Sequence, residues 1–405
     1  MTIIHVPYFR GMEPRTAARK LNDYSGQEAR NIELWSRELK PTRTNLILNT
    51  PTKAGEIQSI FPLAGKWLHW PFDVDVAPSP LQNNQNGRVF YTGEYNPKAT
   101  DELLAVDGLG ANYPLSYWRL GVPVPDTAPT VVPSGGSGFA DTRNYVYTFV
   151  TEWGEEGPPS PPTEATGKID DTWALSAMDI APTNALVISD ITFQSTTVTI
   201  VFTTQHFLVT GDYLTLAGFG HVTDLNGIHL ATRVDSTSIT LPIATTQRWD
   251  IVNNGTFDAD SSWAKGTGWT IAAGVASSDG TQVADSDLSQ TGVVTPGVTY
   301  DLSMTVSGYS AGNISMVLGD QESADFSANG THTASLTPTA GTTVALRADL
   351  NFIGNVDDFS IKESLTGVTV ERESPVNTAN MKKWIYRTVN GEYRFSRGGC
   401  GDHHL

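Results

Sequence analysis

The side chains that could do chemistry are few and scattered. Glu152, Glu155 and Glu156 stand close together in "TEWGEEG", and paired carboxylates are what acid/base work on a glycosidic bond requires. They fall in a Gly-punctuated hairpin turn, with Gly154 and Gly157 flanking Glu155 and Glu156, so they read as solvated charge. His206, His221 and His229 fall in one strand-rich stretch, yet no spacing sets two of them on one helical face as a zinc site would need. Surface or strand histidines fit that pattern better. Cys400 is the only cysteine, so neither an intrachain disulfide nor a thiolate cluster can form from one chain. His403 and His404 beside it read as a frayed end. "GFGHVTDLNG" and "GGSG" lack the strand-to-helix setting of a phosphate loop. The expectation is a protein that is not an enzyme and requires no cofactor.

What must position any site is a long run of short strands. The chain has 405 residues, enough for roughly two to four domains. Charged residues are only 17% of it, and apolar residues alternate in runs such as "VTIVF" and "YVYTFV" between Gly, Asn and Pro turns. That composition predicts an all-β, multi-domain fold. No stretch of 18 apolar residues occurs, and the first 25 residues have no apolar core run, so neither a membrane span nor a secretory signal is expected. The net charge of −17 argues against wrapping nucleic acid, which needs basic grooves. It suits a wall past which DNA slides without sticking.

Residues 1–44 read as an N-terminal extended arm with one short helix. Residues 9–43 carry eight Lys or Arg against five Asp or Glu, against the sign of the chain. Ser25 and Glu28 make a capping-box pair, with Ala29, Ile32 and Trp35 on one face, and Lys40-Pro41 as the stop. Residues 45–122 form a β-rich platform, and 123–138, "PVPDTAPTVVPSGGSG", a linker. Residues 139–185 and 364–405 read as two halves of one sandwich, the second holding a hairpin at "KKWIYRTVNGEYRF" with Asn390-Gly391 as its two-residue turn. Between them lie a small β module, 186–247, and a second sandwich, 248–363. The latter holds four basic and fourteen acidic residues, so the acid is concentrated there.

The arm "FRGMEPRTAARKLNDYSGQEARNIELWSRELKPTR" resembles the start of tail nozzle, or tail tubular, virion proteins of short-tailed bacteriophages. Gly11, Gln27, Asn31, Leu39, Pro41 and Arg43 are the matching positions, and with Arg10 and Trp35 they make up the expected assembly residues of the arm. "YVYTFVTEWGEEGPPSPPTE" and "KKWIYRTVNGEYRF" resemble a fibronectin-type-III-like module common in phage structural proteins. "NNGTFD", "GWTI", "VTPGVTYDLSMTVS" and "VDDFSI" are similar to a jelly-roll carbohydrate-binding module. That likeness implies an aromatic glycan platform, for which Trp263, Trp269, Tyr300 and Tyr309 are the candidates, because flat rings stack on sugar C–H faces. Trp269, inside "WTI", reads first as core; Trp263 and Tyr309 are open to either role. The likeness also implies a structural calcium ion, with Asn254 and Asp357 as ligands, against a turn-capping Asn and a loop Asp.

These resemblances imply a ring or tube subunit of a phage tail that passes DNA, with copies of itself as partners in a ring, sixfold by resemblance. The portal or adaptor and other tail proteins would be neighbours, the location the virion, and the host cytoplasm during assembly. The outward jelly roll would contact a host surface glycan. The alternative is a glycan-binding tail fibre or host-adhesion appendage. The chain ends soon after the hairpin, so its edge strand is expected to be covered by another chain or by the arm.

Overall fold

A computed structural model describes residues 8–28, 30, 32–33, 40–41, 55–80, 87–106, 113–194, 196–244, 249–388, 395–397 and 403–404. The architecture is nearly all strand, in several small sheets. Residues 1–52 and 53–405 form two compact units.

In the first unit the expected extended arm folds back on itself. Strand Gly11–Met12 pairs in parallel with Ser25–Gly26, which Gly11 permits by adopting φ of 136°. The Glu13 carboxylate closes the loop, accepting hydrogen bonds from Ser25 Oγ at 2.8 Å and Asn22 Nδ2 at 3.4 Å. These bonds hold its pKa below the usual carboxylate range. The capping-box helix is therefore corrected: Ser25 spends its hydroxyl on Glu13, Glu28 pairs with Arg30, and Ile32–Glu33 is a strand against Lys40–Pro41. Gly26 in the first turn also weakens any helix there. Ala29, Asn31, Trp35, Leu39 and Arg43 lie outside the described residues.

The second unit begins with the platform. Hairpin Ser59–Leu63 and Lys66–Trp70 packs with strands Asp75–Pro78, Val89–Thr92, Lys98–Thr100 and Trp118–Arg119 around Leu68, Trp70, Val89 and Tyr91. The short α-helix falls here, at Glu102–Val106. Asp101 starts it, its Oδ1 accepting the amides of Leu103 and Leu104 at 3.0 and 2.9 Å.

A sandwich follows. Strand Ala140–Val150 sits at its centre, buried over Tyr145–Val150, paired with Thr163–Lys168 on one side and Lys382–Thr388 on the other. The latter pairing joins Tyr147 to Ile385 across more than two hundred residues of chain. The segment read as linker contributes a strand, Thr130–Ser134, paired with Thr172–Ser176. Its Pro133 is tolerated because the sheet has two strands and both are edges. Beyond Lys382–Thr388, strands Phe395–Arg397 and His403–His404 pair along its far edge, so this chain's own last residues cover that edge. The register sets Phe395 opposite Thr388, where a two-residue Asn390-Gly391 turn would set Tyr393. Those turn residues lie outside the described residues.

The small module is itself split. Strands Ile188–Phe193, Val198–Phe202, Ser238–Leu241 and Thr232–Arg233 make one sheet; Ala185–Leu186, Thr369–Arg372, Tyr213–Ala217 and Gly227–Leu230 make the other. Val370 joins its core beside Leu186, Leu214 and Leu216. Residues 369–372 thus belong here rather than to the host sandwich, because the entering strand Ala185–Leu186 captures the returning strand antiparallel.

Nested inside this module is the 249–363 segment, a jelly-roll sandwich of two five-stranded sheets. One runs Ala264–Lys265, Ser286–Gln290, Val344–Ala348, Ile314–Leu318, Gln321–Glu322; the other runs Trp269–Ala272, Val275–Asp279, Ile353–Glu363, Tyr300–Ala311, Gly330–Leu336. Period-two alternation, as in Ser286–Gln290, turns one side chain in two toward the shared core. Entry and exit lie side by side: Asp250 bridges Lys362 and the Ile251 amide donates to the Ile361 carbonyl at 3.0 Å.

Candidate functional site

The aromatic residues nominated for sugar stacking are packed inward. Trp263 is 8% exposed, Trp269 5% and Tyr300 0%, and all three lie in the jelly-roll core. Their polar atoms are spent there: Trp263 Nε1 donates to the Asn254 carbonyl, Trp269 Nε1 to the Ser286 carbonyl, each at 3.0 Å, and Tyr300 OH accepts the Thr295 amide at 2.9 Å. Burial pushes the Tyr300 phenol up. Tyr309 is half-buried, its ring 6.5 Å from Phe352 and its OH donating to the Gly312 carbonyl at 3.1 Å. Trp263, Trp269 and Tyr300 are therefore core residues, as strand alternation put Trp269, while Tyr309 packs half-buried against that core.

Asn254 and Asp357 do not converge. Asn254, at φ of 55°, donates from Nδ2 to the carbonyls of Ala259 and Ser261 at 2.6 and 3.0 Å. Asp357 Oδ1 accepts the Asp358 amide at 2.7 Å, and the concavity beside Asn254 is lined by Asp250, Asp258 and Asp358 but not by Asp357. The pair does not fit a calcium site: Asn254 closes its own turn, and Asp357 lies within strand Ile353–Glu363. Among the described residues no group of three or more His, Cys, Asp or Glu is arranged to hold a metal.

The three turn carboxylates have separate structural partners. Glu156 Oε1 accepts from Thr148 Oγ1 at 2.7 Å and Tyr386 OH at 2.6 Å; Glu152 accepts from Asn380 at 3.3 Å. Glu155 is half-buried, 3.8 Å from Arg88, and burial raises its pKa against that cation. His206 is wholly buried: its Nδ1 accepts the Leu208 amide at 2.9 Å, which leaves Nε2 to donate to the Ser238 carbonyl at 3.3 Å. Burial depresses its pKa.

What the structure does bring together are the modules, and the small one is the hub. Toward the platform, Arg119 grips Asp212 bidentately, at 2.7 and 2.8 Å, with the Asp212 side chain 3% exposed. Lys98, wholly buried, lies between Glu94 at 3.2 Å and Glu373 at 3.4 Å and 4.1 Å over the Tyr117 ring. Arg372 donates Nε to the Thr183 carbonyl at 3.2 Å, and its burial brings its pKa down to about 10. Toward the host sandwich, Phe207 meets Phe149 edge-on at 5.9 Å. Toward the jelly roll, buried Glu363 accepts the amides of Gly220, His221 and Val222. Gly220 is needed there, since a Cβ would come within 2.6 Å of Val298 Cγ2.

Beside that junction a groove of about 620 Å³ runs between the outer face of the jelly-roll sheet and the small module. Asp301, Ser303, Thr333, Ser335, Ser360 and Lys362 line one wall; Ser189, Asp190 and Trp249 line the other. Lys362 reaches across to Asp190 at 3.9 Å. Sequence reasoning passed over this face because it is made of Ser and Thr, and what gathers them is cross-strand register, which no local motif encodes.

No family model matches the chain. No curated protein matches it either. Among solved structures it is similar to the N-terminal CBM22-1–CBM22-2 tandem domain of Xyn10C from Paenibacillus barcinonensis, at 9% identity and a TM-score of 0.23, over 78% of this chain and 100% of that one. At that TM-score no argument rests on the likeness. Among the described residues no helix is long and apolar enough to cross a membrane.

Proposed function

We propose that the chain is a non-enzymatic structural protein of a bacteriophage tail, a subunit that joins copies of itself and holds its jelly roll outward toward host glycans. The nested insertion carries the reading: the host sandwich closes through Tyr147 and Ile385, and both inserted modules leave and re-enter through adjacent antiparallel strands. Such an arrangement lets a body assemble while extra modules project from it. The arm's sequence resemblance to tail nozzle proteins supplies the virion context, and its eight basic residues against an acidic remainder favour attraction between copies. The acidic surface lets DNA pass without adhering.

A second reading, a glycan-binding adhesion appendage, draws on the polar groove between jelly roll and small module. Electron microscopy of the purified full-length chain separates the two: rings are expected, and monomers at every concentration tried would leave the appendage reading standing and remove the tail-ring one.

A further inference from the structure

The groove between the small module and the jelly roll has a hydrogen-bonding pattern unlike the sheet around it. Threonines facing each other satisfy one another at both ends of the pairing between strands Tyr300–Ala311 and Gly330–Leu336: Thr299 with Thr337, just beyond the strand ends, at 2.8 Å, and Thr305 with Thr331 at 3.3 Å. Between these two closed pairs lie Asp301 opposite Ser335 and Ser303 opposite Thr333. On the neighbouring strand Asp301 faces Lys362 and Ser303 faces Ser360. Among the described residues the side chains of Asp301, Ser303, Thr333, Ser335 and Ser360 make no hydrogen bond to the protein. They stand in two in-register rows with donors and acceptors open to the groove, and cross-strand neighbours of this kind sit about 5 Å apart.

The geometry points to this groove as a binding site for a neutral glycan, held edge-on by hydrogen bonds rather than by ring stacking, and built jointly by the two modules. The inference rests on the reading of the jelly roll as the host-contacting module. Four hydroxyls and two carboxylates present alternating donors and acceptors, the complement of a sugar's vicinal hydroxyls. An anionic ligand is disfavoured by Asp190 and Asp301 and by the fourteen acidic against four basic residues of the segment. An apolar ligand finds Ser, Thr, Asp and Lys side chains along the sheet wall, where Leu302 and Ala334 are packed toward the jelly-roll core, and a protein hot spot would want an exposed aromatic or Arg anchor that this wall lacks. The volume of about 620 Å³ is within the range of small-ligand sites, roughly 300 to 1,000 Å³.

The test is calorimetric titration of the full-length chain with neutral oligosaccharides of glucose, xylose, mannose, galactose and N-acetylglucosamine, and with oligogalacturonate as the anionic counterpart. At least one neutral series is expected to bind, with oligogalacturonate at least tenfold weaker. The double variant Ser303→Ala/Thr333→Val removes both hydroxyls without adding bulk and is expected to lower affinity at least tenfold at a nearly unchanged melting temperature. Asp190→Asn, on the opposite wall and in the other module, is expected to weaken binding too, which a jelly roll acting alone would not show. Absence of binding by every neutral series, equal binding of the uronate, or full affinity in both variants would overturn the proposal. Ring formation by the same preparation is scored separately, so failure of the groove and failure of the tail reading are distinguishable.

Discussion

The carboxylate of Glu363, at the end of the last jelly-roll strand, accepts the backbone amide of Val222 at 3.1 Å, in a different module. Gly220 and His221 donate to the same carboxylate, and Glu363 is 3% exposed. Three converging amides are what a buried anion requires to offset its desolvation. This bond ties the jelly roll to the hub, so the inserted module is docked as well as tethered.

Glu363→Gln keeps the shape but loses the charge-assisted bonds, and is expected to cost about 1 to 3 kcal/mol; Glu363→Ala is expected to cost more, because it leaves the amides buried without an acceptor. Denaturant unfolding followed by Trp fluorescence measures both. An alanine variant as stable as the parent would mean that the junction opens freely in solution.

Trp263→Ala is expected to destabilise the jelly roll by about 3 to 5 kcal/mol, the range for truncating a core aromatic, because its ring packs against Phe257 at 5.5 Å and Phe359 at 5.9 Å. A surface stacking residue would behave oppositely, losing ligand at unchanged stability. Thermal melts and glycan titration of the same variant tell the two apart.

Much of the fold was legible from alternation. Val198–Phe202 buries every second side chain as "VTIVF" implies, and the central "YVYTFV" strand pairs with the chain's distant end. Thr130–Ser134 was hidden by Pro133 and its Gly-rich flank, which mark a linker unless the strand is known to be an edge. The helix at Glu102–Val106 was missed although Asp101 is an ordinary N-cap, since five residues are too few for a periodic stripe. Thr369–Arg372 went to the wrong module because its partner strand lies well over a hundred residues upstream. The candidate groove was illegible for the same reason: Ser303 meets Thr333 and Ser360 only through register.

Stability is expected to fall as the solution is acidified below about pH 6.5, the ordinary histidine range. His206 and His221 both have depressed pKa values, burial being the largest cause for each. The unfolded chain therefore takes up protons that the folded chain refuses, so their stabilising contribution is present above the unfolded value and lost as pH drops through the folded one. Comparing denaturation midpoints at neutral pH and about one to two units lower measures the slope, and His206→Gln, which cannot titrate, is expected to flatten it. An unchanged slope in that variant would assign the acid sensitivity elsewhere.

The jelly roll is expected to be removable without unfolding the body, provided that the cut respects the latch. Asp250 and Lys362 bridge each other where the segment enters and leaves, and facing Cα atoms of an antiparallel pair lie about 5 Å apart. Replacing residues 251–361 with Asn-Gly therefore converts the entry and exit into a tight hairpin of the kind that two-residue loops form. Glu363 is retained to hold the Gly220, His221 and Val222 amides, and Trp249 and Val370 stay in the small-module core. The loss is confined to contacts such as His221 Nδ1 with Thr295 Oγ1 at 3.0 Å and the His221 ring against Tyr300 at 5.7 Å. The shortened chain is expected to remain soluble, to unfold within about 1 to 2 kcal/mol of the parent body, and to form the same rings under the microscope while losing glycan retention. A shortened chain that aggregates, while its isolated jelly roll folds, would show that the body depends on the inserted module for its own packing. Rings lost from a folded, soluble variant would place the jelly roll within the contacts between copies rather than outside them.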